Sequence, residues 1–281
     1  MSEYQFYEFV AIEQRLSSTD IDALRRITSR AEITPTRLQN TYHFGDFKGD
    51  PDALMARYFD AMVYVANWGT HTLRLRVPRA AVDVATFEKY RADRGVEVRK
   101  TKTHAIVTLS AYDESGEAWD DDGGERWLSE LLPLRDELIR GDLRALYLGW
   151  LGAVLQGDVG CDAREPSVPA RLGRLTAAQK ALAAFLGLDD DLIAAAAKGS
   201  GLGASSAEPP SKAEFSKWVA TLPAKEKDRM LVTAAFDSDA RVGAALFQRY
   251  RKAQPRASTE GAPRRRTVRE LLAGAGFEDD E

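Results

Sequence analysis

The sequence predicts an α+β (or α/β) fold: an N-terminal mixed sheet of alternating strands and helices ending in a hairpin, then an all-helical C-terminal half and a disordered tail. Three observations carry this expectation. Apolar residues alternate with polar ones over 36–44, 71–77, 96–100 and 104–112, the period of a strand. Leu143, Leu146, Tyr147, Trp150, Leu151 and Val154 recur at helical spacing. The stretch GSGLGASSAEPPS from Gly199 and the residues beyond Pro255 lack the apolar side chains that a core requires. The expected divisions are an α/β domain over 1–115, a helical domain over 125–198 packed on it, a flexible linker over 199–212, a small helical unit over 213–253, and a disordered tail over 254–281.

Tyr4 to Ile12 is rich in aromatic and β-branched residues and apolar on both faces, so it reads as a strand covered on both sides. A helix follows, capped by Ser17 or Ser18, with Ile21, Leu24 and Ile27 on one side. In the strand over Thr36 to Phe44, Leu38, Tyr42 and Phe44 face one way and Arg37, Gln39, Thr41 and His43 the other. Asp50 is an N-cap and Pro51 a first helical residue. The apolar stripe Leu54, Met55, Tyr58, Phe59, Met62, Val65 and Ala66 extends that helix to Asn67-Trp68-Gly69, with Arg57, Asp60 and Tyr64 paired off the stripe. Trp68, ending an amphipathic helix, is expected in the core. His71 to Val77 is the next strand, and a short helix over Val84 to Tyr90 leads to a hairpin of Val96–Lys100 and His104–Tyr112. After an acidic loop, Trp127–Gln156, Thr176–Leu186 and Asp191–Lys198 are helical. In the small unit, Pro223 opens one helix and Asp237 to Asp239 another.

With 39 Lys and Arg against 43 Asp and Glu, the bulk charge does not favour nucleic acid, so any basic surface must be local. The single cysteine, Cys161, excludes an internal disulfide and points to a cytoplasmic protein. No apolar stretch is long enough for a bilayer, and no membrane partner is expected.

No nucleophile elbow, metalloprotease helix or phosphate-binding loop is present, so no catalytic residue is assigned and no cofactor is expected. The histidines His43, His71 and His104 sit at discordant strand parities, which argues against a shared metal. One candidate site is the loop His43, Asp46, Lys48 and Asp50 with Arg57 and Trp68, where Asp46-Phe47-Lys48 matches half of the PD-(D/E)xK nuclease pattern. A second is a basic sheet face of Arg37, Gln39, His43, Arg74, Arg76 and His104, suited to single-stranded nucleic acid if left open, and otherwise covered by the acidic loop or the helices. A third is a docking segment in the tail, with Arg265 and Arg266 ahead of Val268, Leu271 and Leu272.

Tyr7-Glu8-Phe9, Ser29-Arg30-Ala31, Ile33 to Thr36, Tyr42 to Pro51, Tyr58-Phe59-Asp60, Asn67 to Thr70 and Leu146 to Trp150 resemble a family of uncharacterised bacterial proteins associated with the gene neighbourhood of SWIM zinc-finger proteins. The resemblance covers about the first 200 residues, and the Arg-Thr-Val-Arg-Glu-Leu-Leu tail is similar too. It implies a bacterial, cytoplasmic, partner-dependent protein, with a SWIM zinc-finger protein as one candidate partner. With only Cys161, this chain does not carry the SWIM zinc ligands itself. The expected function is therefore a non-catalytic interaction or adaptor protein that binds a protein partner, in part through its C-terminal arm. The alternatives are a nucleic-acid-binding protein using the basic face and a metal-dependent phosphodiesterase centred on Asp46 and Lys48.

Overall fold

The computed structural model describes residues 4–112, 124–199, 211–236, 242–253 and 265–277. The N-terminal part is one seven-stranded sheet. Its strands are β1 (Gln5–Val10), β2 (Glu32–Ile33), β3 (Arg37–Tyr42), β4 (Ala61–Ala66), β5 (Thr70–Pro78), β6 (Val96–Lys100) and β7 (His104–Tyr112). Their order is β2-β3-β1-β4-β5-β7-β6, and every pairing is antiparallel, which narrows the expected mixed sheet to the α+β class. The helices are α1 (Ser18–Ile27), α2 (Pro51–Arg57), α3 (Val84–Phe87), α4 (Trp127–Leu131), α5 (Pro133–Arg140), α6 (Arg144–Leu155), α7 (Ala177–Phe185), α8 (Asp190–Ala197), α9 (Lys212–Thr221), α10 (Ala224–Phe236), α11 (Val242–Ala253) and α12 (Val268–Gly274).

The single helix expected from Asp50 to Ala66 is two elements. Asp50 caps α2 and Pro51 opens it, as the sequence indicates, but the helix ends at Arg57. The run Met62-Val63-Tyr64-Val65 is β-branched and aromatic, and it forms β4 between β1 and β5. A strand buried on both faces carries no alternation, so its apolar run also fits a helical stripe. Asn67-Trp68-Gly69 is a hairpin turn and not a helix end. Gly69 takes a left-handed φ of +86° and its N–H donates to the Ala66 carbonyl at 3.0 Å. The long helix expected over 127–156 is also divided. Pro133 starts α5, and Gly141 ends it at φ +92°.

One face of the sheet carries Val63, Leu73, Leu75, Val96, Val107 and Leu109, and it is covered by α4 to α8 in one continuous core. The opposite face is covered at its β1–β3 side by α1, α2 and the loop before α2, around Phe9, Leu38, Phe47, Phe59 and Met62. Sheet and helices thus share a core, with no boundary between residues 112 and 124 in packing terms. Close approach is enforced at Gly95, where an added Cβ would lie 2.4 Å from the Ala153 Cβ on α6.

The tail departs most from expectation. The segment from Arg265 is folded onto its own chain: Val268 and Leu271 are buried with α8 in the main core. Arg266 pairs in a bidentate manner with buried Glu165, at 2.9 Å to each carboxylate oxygen. It also donates to the Ala195 and Ala196 carbonyls, closing the C-terminal end of α8. Tyr147 completes this cluster by donating to Glu165, and burial pushes the tyrosine hydroxyl far above its ordinary pKa. Residues 254–264 and 278–281 of the expected tail, the linker over 200–210, the acidic residues 113–123 and the Asp237–Asp239 helix start lie outside the described residues.

Candidate functional site

The register decides the fate of the basic sheet face. Phe9 lies opposite both Leu38 and Met62, and Met62 lies opposite Arg74. Arg74, Arg76 and His104 therefore share the face of Leu38, whereas Arg37 and Gln39 lie on the other, with Val63 and Leu75. The expected surface does not exist as one face. Its cations are also neutralised in place. Arg37 pairs with Glu8 at 2.6 Å, Arg74 with Asp52 at 3.2 Å, and Arg76 with Asp60 at 2.9 Å. His104 meets Glu13 at 3.1 Å, and Gln39 donates to Glu125 at 3.4 Å.

Behind Arg76 lies a buried ionic network that sequence reasoning missed. Asp60 Oδ2 accepts the Ile12 and Glu13 N–H groups at 2.7 and 2.8 Å, while Oδ1 accepts Arg76 at 3.2 and 2.9 Å. Arg135 of α5 donates to the Arg76 carbonyl at 2.7 Å and to Glu13, whose other oxygen meets His104. Alternate charges and backbone groups satisfy one another across β1, β5 and α5, so the network clamps the helical layer to the sheet. Only spacing across the fold assembles it; Asp60 and Arg135 are 75 residues apart.

The loop site is built differently from its sequence reading. Phe47 is buried against Tyr7 and Phe9, with ring centroids 5.1 and 6.0 Å away, and this pins the loop to the sheet. Gln5 secures the other side. Its amide donates to the Gly45 carbonyl at 3.2 Å and to Asp46 at 3.1 Å. Its oxygen accepts the Tyr7 and Tyr64 hydroxyls at 3.1 and 3.2 Å. Burial raises both tyrosine pKa values, so these hydroxyls are held as donors and not as nucleophiles. Asp46 and Lys48 are exposed, and Asp50 accepts the Asp52 N–H at 2.9 Å as a helix cap. Arg57 lies over the Tyr58 ring, 4.8 Å from its centroid. The Asp46-x-Lys48 triplet thus belongs to a strand-to-helix loop in which Asp46 and Asp50 already have structural partners.

The histidines do not converge. His43 is exposed beside Tyr4 (centroids 5.7 Å apart), His71 is buried with Nδ1 2.9 Å from the Phe185 carbonyl, and His104 meets Glu13. Among the described residues no group of three or more His, Cys, Asp or Glu is placed to hold a metal ion. None of their helices is long and apolar enough to cross a membrane.

What the fold does gather is an aromatic rim at one end of the sheet. Tyr42 lies opposite Gln5, Gln5 opposite Ala66, and Thr70 opposite Tyr112. The ends of β3, β4 and β7 and the starts of β1 and β5 are therefore side by side. Tyr4 and Asn67 lock the middle through two hydrogen bonds of 3.0 Å. From this end project Phe44, Trp68 and Tyr112, which are 77, 45 and 43 % exposed. Phe44 and Trp68 are both corrections, since the sequence places each with core residues. Phe44 lies beyond the last residue of β3, and Trp68 is at a turn apex, so neither meets a covering layer. Three large apolar side chains aligned across one sheet end form a surface of the kind that marks a binding site. Comparison with protein-family models, with curated proteins and with solved structures returns no match.

Proposed function

We propose that this chain is an interaction protein that binds a protein partner through the aromatic rim of its sheet. The observation that supports the reading is the placement of Phe44, Trp68 and Tyr112, exposed together at one end of the sheet. Aromatic side chains bring large buried area at low entropic cost and dominate the energetics of interfaces. Paired arginines and the division of Arg37 and Arg74 between two faces weigh against nucleic acid as the ligand. The C-terminal arm, folded on α8, contributes to stability in this reading and not to partner capture. The resemblance to SWIM-associated proteins makes a SWIM zinc-finger protein the first candidate partner.

The test is a cross-linked pull-down of the tagged full chain and of a Phe44→Ser/Trp68→Ser variant, each with and without nuclease. A partner protein that survives nuclease, is lost with the rim variant and is retained by Lys48→Ala is the expected result. Identical recovery by the rim variant, or recovery abolished by nuclease, overturns the proposal.

A further inference from the structure

The other gathering of exposed apolar side chains among the described residues is on α10. Leu231, Val232 and Phe236 are 69, 59 and 89 % exposed, with Ala235 exposed between them. Their spacing places them on one stripe of the helix. The opposite side of α10 is the inward one: Glu226, Met230 and Thr233 are partly buried, and Glu226 pairs with Arg249 of α11. Behind it, α9 and α11 are joined by an aromatic cluster, with Phe215 stacked on Phe247 at 4.4 Å and Trp218 edge-on to Tyr250 at 5.4 Å. The unit therefore has its own apolar contacts and still leaves the α10 stripe uncovered, an arrangement with a solvation cost that a partner would relieve.

Charge identifies the partner. Residues 211–253 contain nine Lys and Arg against five Asp and Glu, in a chain whose totals are 39 and 43. Lys225 and Arg229 are exposed on the same side of α10 as Val232 and Phe236, one and two turns before them. Lys225 stands in the first turn, where the helix dipole disfavours a cation, and Glu226 of that turn pairs with Arg249 and, at 3.8 Å, with Arg229. Asp228 is the one acid on this side. The surface is thus cationic in its first half and apolar in its second.

α11 also contacts α5 of the main body. A Cβ on Gly199 would lie 2.6 Å from the Arg266 guanidinium. Gly199 and Arg266, which flank the unit in sequence, therefore lie together in the main body.

We infer that the α10 stripe docks an amphipathic helix of a partner protein that pairs Leu- or Phe-type side chains with Asp or Glu. This rests on the reading of the chain as an interaction protein, but it uses a surface remote in sequence from the rim. The test is a displayed library of random peptides, each long enough to form a helix, selected on the full chain. Sequences with apolar residues at helical spacing and flanking acids should be enriched. Their binding should weaken about tenfold or more with Val232→Ser/Phe236→Ser, and also with Lys225→Glu/Arg229→Glu, while Phe44→Ser/Trp68→Ser leaves it unchanged. Failure of the rim variant alone to bind its partner bears only on the rim. Enriched peptides that are basic, peptides indifferent to both α10 variants, or no enrichment overturn the inference. So does sedimentation showing a dimer that Val232→Glu dissociates, which would assign the stripe to a second copy of the chain.

Discussion

Asp60→Ala is expected to be among the most damaging single changes in the sheet domain. The carboxylate is buried with 1 % of its side chain exposed, and it serves four donors: two backbone N–H groups and two guanidinium nitrogens of Arg76. Removing it strands Arg76 and leaves Arg135, 3.7 Å away, with one counter-charge fewer. Breaking a buried ion pair on one side costs about 3–5 kcal/mol. At about 2–4 °C per kcal/mol for domains of this size, the melting temperature should fall by about 6–20 °C. Asp60→Asn retains an acceptor for the Ile12 and Glu13 amides and should fall in between. The decisive assay is a double-mutant cycle by denaturant unfolding, with Asp60→Leu and Arg76→Met singly and together. If the pair clamps the sheet, the double variant is more stable than the sum of the single losses implies. A loss under about 1 kcal/mol for Asp60→Ala, or strict additivity, refutes the argument.

The tail makes a similar claim on stability: Leu271→Ala should cost about 2–5 kcal/mol in chemical denaturation, whereas a solvent-exposed docking segment would show almost none. Arg266→Ala should cost about 3–5 kcal/mol, because Glu165 is left buried beside Tyr147, and Glu165→Gln in the same chain should recover part of that loss. Burial pushes the Glu8 carboxyl above the ordinary glutamate range, with Arg37 only partly offsetting it. A raised carboxyl contributes stability below its unfolded pKa and loses it as pH rises through the folded value, so the stability of Glu8→Gln relative to the parent should increase from acidic to neutral pH. Flat relative stability across that interval in a series of melts counts against it. Burial likewise pushes the Tyr90 hydroxyl up to about 12, where it donates to the Ser167 carbonyl at 2.9 Å. The two-unit rise is worth about 3 kcal/mol, present below pH 10 and lost between about pH 10 and 12, so alkaline unfolding should be less steep in Tyr90→Phe when followed by circular dichroism.

Much of the fold is legible in the sequence, and the failures have common physical causes. β3, β5, β6 and β7 declare themselves by alternation, and the caps at Ser17 and Asp50 mark real helix starts. β4 does not, because Met62 to Val65 are apolar on both faces and continue the stripe of Leu54 and Met55 without a break. That single substitution of strand for helix moved Asp60 from a surface pair to the buried network, and Trp68 from core to rim. The basic face failed for another reason. Parity along a strand is local, but which parities share a face is set by pairing, and no residue of Arg37 or Arg74 records that Phe9 lies between their neighbours. The rim has the same origin: Phe44, Trp68 and Tyr112 are 24 and 44 residues apart and meet only through register. The tail reads as a docking segment because the group that holds it is distant in sequence: Arg266 pairs with Glu165, which lies 101 positions earlier in the chain.

The meeting of Gly199 and Arg266 has a thermodynamic meaning for the core. Gly199 and Arg266 are two points of the core that must be brought together each time the chain folds, and α11, which lies between them in sequence, contacts α5. The entropy of that closure grows only with the logarithm of length, so a connection about ten times shorter would return about 2 kcal/mol. Burial of Val268 and Leu271, at about 1.5–3 kcal/mol each, exceeds that figure, so a change in the length of the connection alters stability by less than its anchoring helix contributes. The length of this connection is therefore weakly constrained, and the Arg266–Glu165 pair is the fastener that fixes its return point.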